Sequence, residues 1–156
     1  MELQKKRELL TMEKCIIKII NNSNYNLPKY QTKGSAGMDL YANISEGEII
    51  KPGEIKLIPT GIYISMPEGY EAQIRARSGL SLKHGVTLAN GIGTIDSDYR
   101  GEISIILVNL GNKDYFIEPG ERIAQMVIKK YILAQWELVE DLDETVRGEG
   151  GFGHSG

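Results

Sequence analysis

Turn-forming residues recur along this chain at short intervals and leave no stretch with the sustained apolar period of a long helix. These Asn, Gly and Pro signals favour tight turns, and they lie at residues 21–23, 52–53, 67–69, 90–91, 111–112 and 119–120. Between them lie runs rich in Ile, Val, Leu and Tyr, at residues 15–20, 54–64, 101–109 and 122–132. Many short β-prone runs separated by turns predict an all-β sandwich or barrel. A short helix after Ser78 is compatible with this pattern.

The length of 156 residues suits one domain that buries about 70% of its unfolded surface. We predict an N-terminal extension at 1–14, a β domain at 15–134, an acidic linker at 135–146 and a flexible C-terminal lid at 147–156. Met12 is an alternative natural start to Met1.

Cysteine content and apolar runs bear on the compartment. Cys15 is the single cysteine, so no intrachain disulfide can form, and a reducing compartment is expected. The N-terminus has no apolar signal segment, and runs such as 105–108 are too short to cross a bilayer. We therefore predict a cytoplasmic protein without a membrane partner.

The net charge of −3 is unevenly distributed. The segment 135–146 contributes −5 and the residues after it are neutral, which leaves +2 for the first 134 residues. That balance is too weak for a nucleic-acid-binding surface. We expect the acidic segment to be a solvated coil or edge strand, and it could also carry the C-terminus to another subunit.

The last ten residues, RGEGGFGHSG, include five glycines, an arginine, an aromatic ring and a hydroxyl. Glycine loses much backbone entropy on ordering and buries no side chain, so this segment cannot fold alone. Its composition indicates a flexible lid over an anion that carries a flat group. Gly148, Gly150 and Gly153 also spell G-x-G-x-x-G, but the chain ends too soon for the helix and second strand of a dinucleotide-binding fold.

Several catalytic classes lack their motifs. Two histidines and one cysteine without paired spacing argue against a metal held by protein ligands. There is no Walker P-loop and no G-x-S-x-G elbow, although counting alone leaves a Ser–His–acid triad open.

The segment 73–80 is a candidate phosphate site. Strand alternation places Gln73, Arg75 and Arg77 on one face, and Arg77 is followed by Ser78 and Gly79. An arginine, a hydroxyl and accessible N–H groups suit a phosphate. A solvated strand face followed by a turn is the structural alternative.

The segment 90–101 predicts a hairpin, because Asn90–Gly91 is a strong turn signal. Asp96 follows two apolar or β-branched residues, so we expect a partly desolvated carboxylate suited to general-base catalysis. Tyr99 offers a ring for stacking. The alternative is a surface turn with solvated aspartates and a core tyrosine.

Two further segments contain isolated polar residues. Asp39 lies between apolar neighbours in 36–42, and Arg122 and Gln125 lie three residues apart in 120–127. In a regular strand those two side chains face opposite ways unless a bulge intervenes. Each segment alone is compatible with a structural role.

Together, five segments in this order resemble the trimeric deoxyuridine triphosphatase (dUTPase) family. They are AGMDLYA (36–42), RSGL (77–80), NGIGTIDSDYRGE (90–102), GERIAQMVI (120–128) and RGEGGFGHSG (147–156). The similarity runs from about residue 15 to the C-terminus. Ala76 stands where the family often has proline, and His154–Ser155 replaces a common Ser-Thr pair. Residues 1–14 have no family counterpart.

The resemblance implies a jelly-roll-like distorted β-barrel, a homotrimer with active sites at subunit interfaces, and hydrolysis of dUTP to dUMP and pyrophosphate with Mg²⁺. Asp96 would activate the water that attacks the α-phosphorus, Asp39 would hold Mg²⁺ through water, and Arg122 would order the interface or the lid. Substrate contacts would come from Arg77, Ser78, Gly79, Asn90, Gly93, Thr94, Ile95, Tyr99, Gln125, Arg147, Phe152, Gly153 and Ser155.

Two alternatives remain open at this point. A deoxycytidine triphosphate deaminase has a similar fold, but it should carry a second serine after Arg-Ser and a catalytic glutamate, whereas Gly79 and Leu80 follow Ser78 here. A protein of another class would bind a partner under the control of dUTP, through ordering of the lid. Fold alone does not decide between such functions.

Overall fold

The computed structural model describes residues 13–153, and the regular structure of that part is ten strands and one short helix. The strands are β1 Lys18–Asn21, β2 Met38–Tyr41, β3 Glu48–Ile50, β4 Ile55–Ser65, β5 Tyr70–Arg75, β6 Val86–Leu88, β7 Gly93–Ile95, β8 Ile103–Asn109, β9 Tyr115–Ile117 and β10 Arg122–Lys130. The helix α1 is Ser78–His84. The four predicted β runs and the short helix after Ser78 are confirmed, with strand ends shifted by a few residues.

The strands form two four-stranded sheets and one two-stranded sheet, and every pair is antiparallel. Sheet A has the order β1-β4-β8-β6, sheet B has the order β2-β10-β5-β7, and β3 pairs with β9. Most neighbours in a sheet are distant in sequence, which is the arrangement of a jelly roll. The predicted all-β, jelly-roll-like barrel is confirmed.

The core lies between the inner faces of the two large sheets. In β8, Ile103, Ile105 and Leu107 are buried at alternate positions, as expected for a strand with one face toward the core. Leu40 and Met126 bury their side chains from sheet B. Each large apolar side chain buried this way contributes about 1.5–3 kcal/mol.

Asn109 is a fully buried polar residue at the end of β8. Its Nδ2 donates to the carbonyls of Ile50 (2.8 Å) and Lys113 (2.7 Å), and its Oδ1 accepts from the N–H of Gly111 (2.9 Å). The side chain therefore ties the end of β3 and the loop between β8 and β9 to the core. It is satisfied, as buried polar groups must be.

We expect Asn109→Ala to lower the free energy of unfolding by about 2–3 kcal/mol, because it leaves one buried and two partly buried backbone groups without these partners. Urea titration followed by circular dichroism measures this. Asn112→Ala, at an exposed position in the neighbouring turn, is the matched control and should change stability little. Equal stability of the two variants would contradict the role assigned to Asn109.

Beyond β10 the chain is exposed and irregular. The acidic segment 135–146 contains no strand or helix, and all its residues are exposed, so its coil alternative is the one observed. Whether it carries the C-terminus to another subunit remains a prediction.

In the part of the chain that the structure describes, no helix is long and apolar enough to span a membrane. The cytoplasmic location also remains a prediction.

Candidate functional site

The residues singled out from the sequence concentrate at two places, one on sheet B and one between β7 of sheet B and sheet A. The first, which we call the arginine cluster, consists of Asp39, Arg77, Arg122 and Gln125. Arg77 Nε lies 3.1 Å from Asp39 Oδ1, and Arg122 Nη1 lies 3.5 Å from Asp39 Oδ2. Arg77 Nη1 also donates to the carbonyl of Arg122 at 3.0 Å. Two guanidinium groups on one carboxylate leave a net positive charge, which suits a polyanion.

A bulge in β10 places Arg122 and Gln125 on the face of sheet B that carries Asp39. The register of β10 against β2 shifts between Arg122 and Ala124, and Gln125 then lies directly opposite Asp39. The condition stated from the sequence, that a bulge must intervene, is met. Since a bulge places two residues opposite one, it resets which side chains face outward.

Gln125 is held in place from two sides. Its Nε2 donates to the carbonyl of Ala76 at 3.0 Å, one residue before Arg77. On the other side a Cβ at Gly37 would lie 2.3 Å from Gln125 Oε1. Any side chain at position 37 would therefore displace the amide. Sequence reasoning did not assign Gly37 a function; its place two residues before Asp39 was the available signal.

Ser78 and Gly79 begin α1 directly after Arg77, and both are exposed. The first-turn N–H groups of a helix have no intrahelical acceptors, and no side chain caps this end. A Cβ at Gly79 would meet nothing within 4 Å. The backbone here is accessible to a ligand that approaches the arginine cluster.

The second place is a cavity of about 180 Å³ beside β7, which we call the β7 cavity. Asn90, Gly93, Thr94 and Ile95 line it, together with apolar residues of the two sheets, Ile74, Leu88, Ile105 and Ile106. Pockets for drug-sized ligands are typically about 300–1,000 Å³. A cavity this small suits a single ring rather than a whole nucleotide.

The predicted hairpin at Asn90–Gly91 is wrong, although the turn itself is present. Gly91 has φ of 70°, and its N–H donates to the carbonyl of Leu88 at 3.2 Å. However, β6 pairs with β8 in sheet A, whereas β7 pairs with β5 in sheet B. The turn therefore carries the chain from one sheet to the other. The Asn-Gly signal is local, and each strand's partner is decided by the sheet in which its apolar side is buried.

The predicted partial burial of Asp96 is also wrong for the single chain, where the alternative of solvated aspartates is observed. Asp96 comes directly after β7 and is exposed, because the chain leaves β5 at this point. Tyr99 is not a core residue either, since 37% of it is exposed. Its ring lies over Gly101, and its hydroxyl donates to the carbonyl of Glu102 at 3.0 Å.

Within one chain, Asp96 and the arginine cluster lie far apart. Ile95 pairs with Ala72 near the start of β5, whereas Arg77 follows the end of that strand. The strand rise of roughly 3.3 Å per residue places Asp96 roughly 15–20 Å from Arg77. The three phosphates of one nucleotide do not extend that far. A single chain therefore does not bring both groups to the same triphosphate.

The candidate lid residues that the structure describes are exposed. Arg147 Nε donates to the carbonyl of Gly150 at 2.6 Å, within the same turn. Gly148, Phe152 and Gly153 have positive φ, and the Phe152 ring is fully exposed. Ser155 lies outside the described residues.

Tyr115 and Glu121 support the turn before β10, and sequence reasoning did not find them. The Tyr115 hydroxyl donates to Glu121 Oε1, and Glu121 Oε2 accepts from the N–H of Glu118 at 3.0 Å. Burial and the bond to Glu121 raise the pKa of Tyr115, so it remains a donor. Glu121 directly precedes Arg122, so this pair fixes one side of the arginine cluster.

Residues 13–153 contain no group of three or more His, Cys, Asp or Glu side chains arranged to hold a metal ion. Asp39 is the single carboxylate of the arginine cluster, and its side chain is 17% exposed. This donor set does not fit a cation enclosed by protein ligands. It fits one held mainly by water and by ligand phosphates.

Comparisons with known proteins show the family to which this chain belongs. A family model described as dUTPase matches residues 23–156. The deoxyuridine 5'-triphosphate nucleotidohydrolase of Finegoldia magna is 62% identical over 140 residues, which is 90% of this chain and 98% of that protein.

Solved structures with this fold include dUTPases of staphylococcal phages. A mutant dUTPase of Staphylococcus bacteriophage 80alpha with dUpNHpp has a TM-score of 0.82 and 28% identity, over 90% of this chain and 98% of that one. A mutant dUTPase of phage phi11 of S. aureus, described with a structural Mg(II) ion, has a TM-score of 0.73 and 24% identity, over 81% and 97% of the two chains. The second comparison bears on the fold alone.

Proposed function

This chain belongs to the dUTPase family, and on that premise we propose how its residues carry out the reaction. The protein hydrolyses dUTP to dUMP and pyrophosphate, as a dUTP diphosphatase. The observation that carries the proposed mechanism is the pair formed by the β7 cavity and the arginine cluster. A one-ring cavity suits the base, and a positively charged cluster suits the phosphates.

Uracil binds in the β7 cavity. The backbone groups of Asn90, Gly93, Thr94 and Ile95 contact its polar edge, and the apolar wall packs on the ring. Gly93 keeps the cavity free of a further side chain, and a Cβ there would lie 3.1 Å from Ile74 Cβ. Thymine is excluded because its methyl group has no space. Cytosine is excluded because its reversed donor and acceptor groups would leave buried polar groups unpaired.

Tyr99 packs against the deoxyribose. Tyr99 follows Ile95, the last β7 residue that lines the β7 cavity, by four positions, and its ring is partly exposed. Its hydroxyl is already bonded to the Glu102 carbonyl. The ring therefore offers its apolar surface to the sugar. A ribose is rejected because its 2′-hydroxyl would lie against that surface without a partner.

The phosphates bind at the arginine cluster, to Arg77, Gln125 and the exposed backbone at Ser78 and Gly79. Mg²⁺ prefers to keep several waters and binds through one or two carboxylates plus substrate phosphates, so Asp39 with the triphosphate fits it. When bound, the ion neutralises phosphate charge. Arg122 keeps Asp39 and Arg77 in position.

Asp96 acts as the general base. It takes one proton from water, the water oxygen forms a bond to the α-phosphorus, and the bond from that phosphorus to the bridging oxygen breaks. Pyrophosphate leaves with the bridging oxygen, and dUMP keeps the oxygen from water. Positioning and charge neutralisation supply most of the rate enhancement.

The complete site forms at subunit interfaces of a homotrimer. The separation of Asp96 from Arg77 along β5 supports this, because one chain supplies the base pocket and Asp96 while a neighbour supplies the arginine cluster. The lid then contributes Arg147 to the γ-phosphate, Phe152 over uracil, and Gly153 and Ser155 as further contacts.

Hydrolysis in ¹⁸O-labelled water tests the proposed step. We expect the label in the phosphate of dUMP and none in pyrophosphate, because the attack is on the α-phosphorus. Label in pyrophosphate would contradict it.

Incubation with dCTP should release no ammonia, whereas a deaminase of this fold would release it. A stoichiometric partner that co-purifies and is released by dUTP would support the partner-binding alternative.

A further inference from the structure

Glu102 directly follows the segment that contains Asp96 and Tyr99, and its side chain turns away from it toward β4. Its Oε1 accepts the N–H of Gly61 at 2.7 Å. The bond joins residues that are far apart in sequence. It therefore ties the end of the Asp96–Tyr99 segment to the other large sheet.

The anchor point in β4 is closely surrounded by other segments of the chain. The register of β4 against β8 shifts between Pro59 and Ile62, so Gly61 lies in a bulge. Gly61 has φ of 70°, and a Cβ there would lie 2.9 Å from Ser23 N. Thr60 Oγ1 donates to the carbonyl of Ile103 at 2.5 Å and fixes the bulge from within.

The backbone of Glu102 in turn holds Tyr99. The Tyr99 hydroxyl donates to the Glu102 carbonyl, and a Cβ at Gly101 would lie 2.3 Å from the hydroxyl oxygen. The Tyr99 ring therefore packs directly against the backbone of Gly101, where no side chain intervenes. Its place is decided by residues 101 and 102, and residue 102 is held by its own carboxylate to Gly61.

We infer that Glu102 is a specificity-determining positioning residue that sets how strongly the enzyme discriminates dUTP from UTP. The inference rests on the proposed packing of Tyr99 on the deoxyribose. A ring rejects a 2′-hydroxyl only while it stays close to the sugar carbon. Loss of the bond to Gly61 lets residue 102 and the ring move away, and a displacement of about 1 Å can change rates about 100-fold.

The test is the ratio of kcat/KM for dUTP to kcat/KM for UTP. Glu102→Ala should lower this ratio by about tenfold or more, mainly by raising kcat/KM for UTP. Glu102→Gln should restore most of it, because an amide oxygen can still accept the Gly61 N–H. A merely structural role would lower activity on both nucleotides alike and leave the ratio unchanged.

Glu54→Ala is the matched control. Glu54 Oε2 also accepts a backbone N–H, from Lys51 at 2.8 Å, but in a turn remote from Tyr99. In Glu54→Ala the ratio of kcat/KM for dUTP to kcat/KM for UTP should equal that of the unaltered protein.

If Glu102→Ala does not fold, Tyr99→Phe is the variant to measure, because it removes the hydroxyl that bonds to residue 102. An unchanged ratio in that variant would overturn the inference.

Tyr99→Ala separates this inference from the proposed function. If Tyr99→Ala lowers the ratio and Glu102→Ala does not, the inference about Glu102 is wrong and the role of Tyr99 stands. If Tyr99→Ala leaves the ratio unchanged, the proposed sugar contact itself is wrong. An equal loss in Glu102→Gln and Glu102→Ala would also overturn the inference, since the bond to Gly61 would then not be the cause.

Discussion

Asp96→Asn is expected to lower kcat for dUTP by about 10²–10⁴-fold, the usual contribution of a positioned general base. The amide keeps the shape of the side chain but cannot accept the proton from water. Asp96 is exposed at the end of β7 and makes no core contact that the change would disturb. Folding and binding of dUTP should therefore survive.

Steady-state kinetics measure the loss, and titration calorimetry with a non-hydrolysable dUTP analogue measures the retained affinity. Asp114→Asn is the matched control, because Asp114 is an exposed carboxylate outside the arginine cluster and the β7 cavity. It should keep normal turnover. Near-normal turnover by Asp96→Asn would exclude Asp96 as the base.

Deletion of residues 147–156 is expected to leave folding and oligomeric state intact while turnover falls by about 100-fold or more. The segment contributes little to the core, since Arg147 bonds within its own turn and Phe152 is fully exposed. Its removal takes away a cation for the phosphates and a ring over the base. Water would then have free access to the site.

Thermal unfolding and light scattering check the first expectation, and kinetics check the second. Glu149→Gln is the control within the same segment, because no contact with the substrate is assigned to Glu149. It should retain most activity. Full activity of the truncated enzyme would show that the segment is not a lid.

Local sequence signals predicted the strands and turns well. Runs of Ile and Val between Asn, Gly and Pro residues became β4, β8 and β10, because β propensity and turn chemistry act over a few residues. The same locality explains the error at Asn90–Gly91. The turn forms there, but its flanking strands pair in different sheets. No local pattern encodes that choice.

The candidate site also combines features that the sequence predicted with features that only the structure shows. Five segments in a fixed order indicated which residues carry the chemistry, and the resemblance named their roles. It left open whether a bulge in β10 places Arg122 and Gln125 on the face that carries Asp39, as the structure shows. It also did not decide between a partly buried and a solvated Asp96, and the structure shows the solvated one. Both depend on where strands end and shift register, which is decided by packing between distant segments.

What the sequence alone determined is therefore the β architecture, the candidate groups and the family. Only the tertiary structure decided the geometry of these groups. It shows a net positive arginine cluster, a cavity sized for one ring, and a distance between Asp96 and Arg77 too long for both to contact one triphosphate within a single chain. The physical reason is that turn and strand preferences are properties of neighbouring residues. Sheet pairing, register and cavity shape instead result from burying apolar side chains of distant segments against one another.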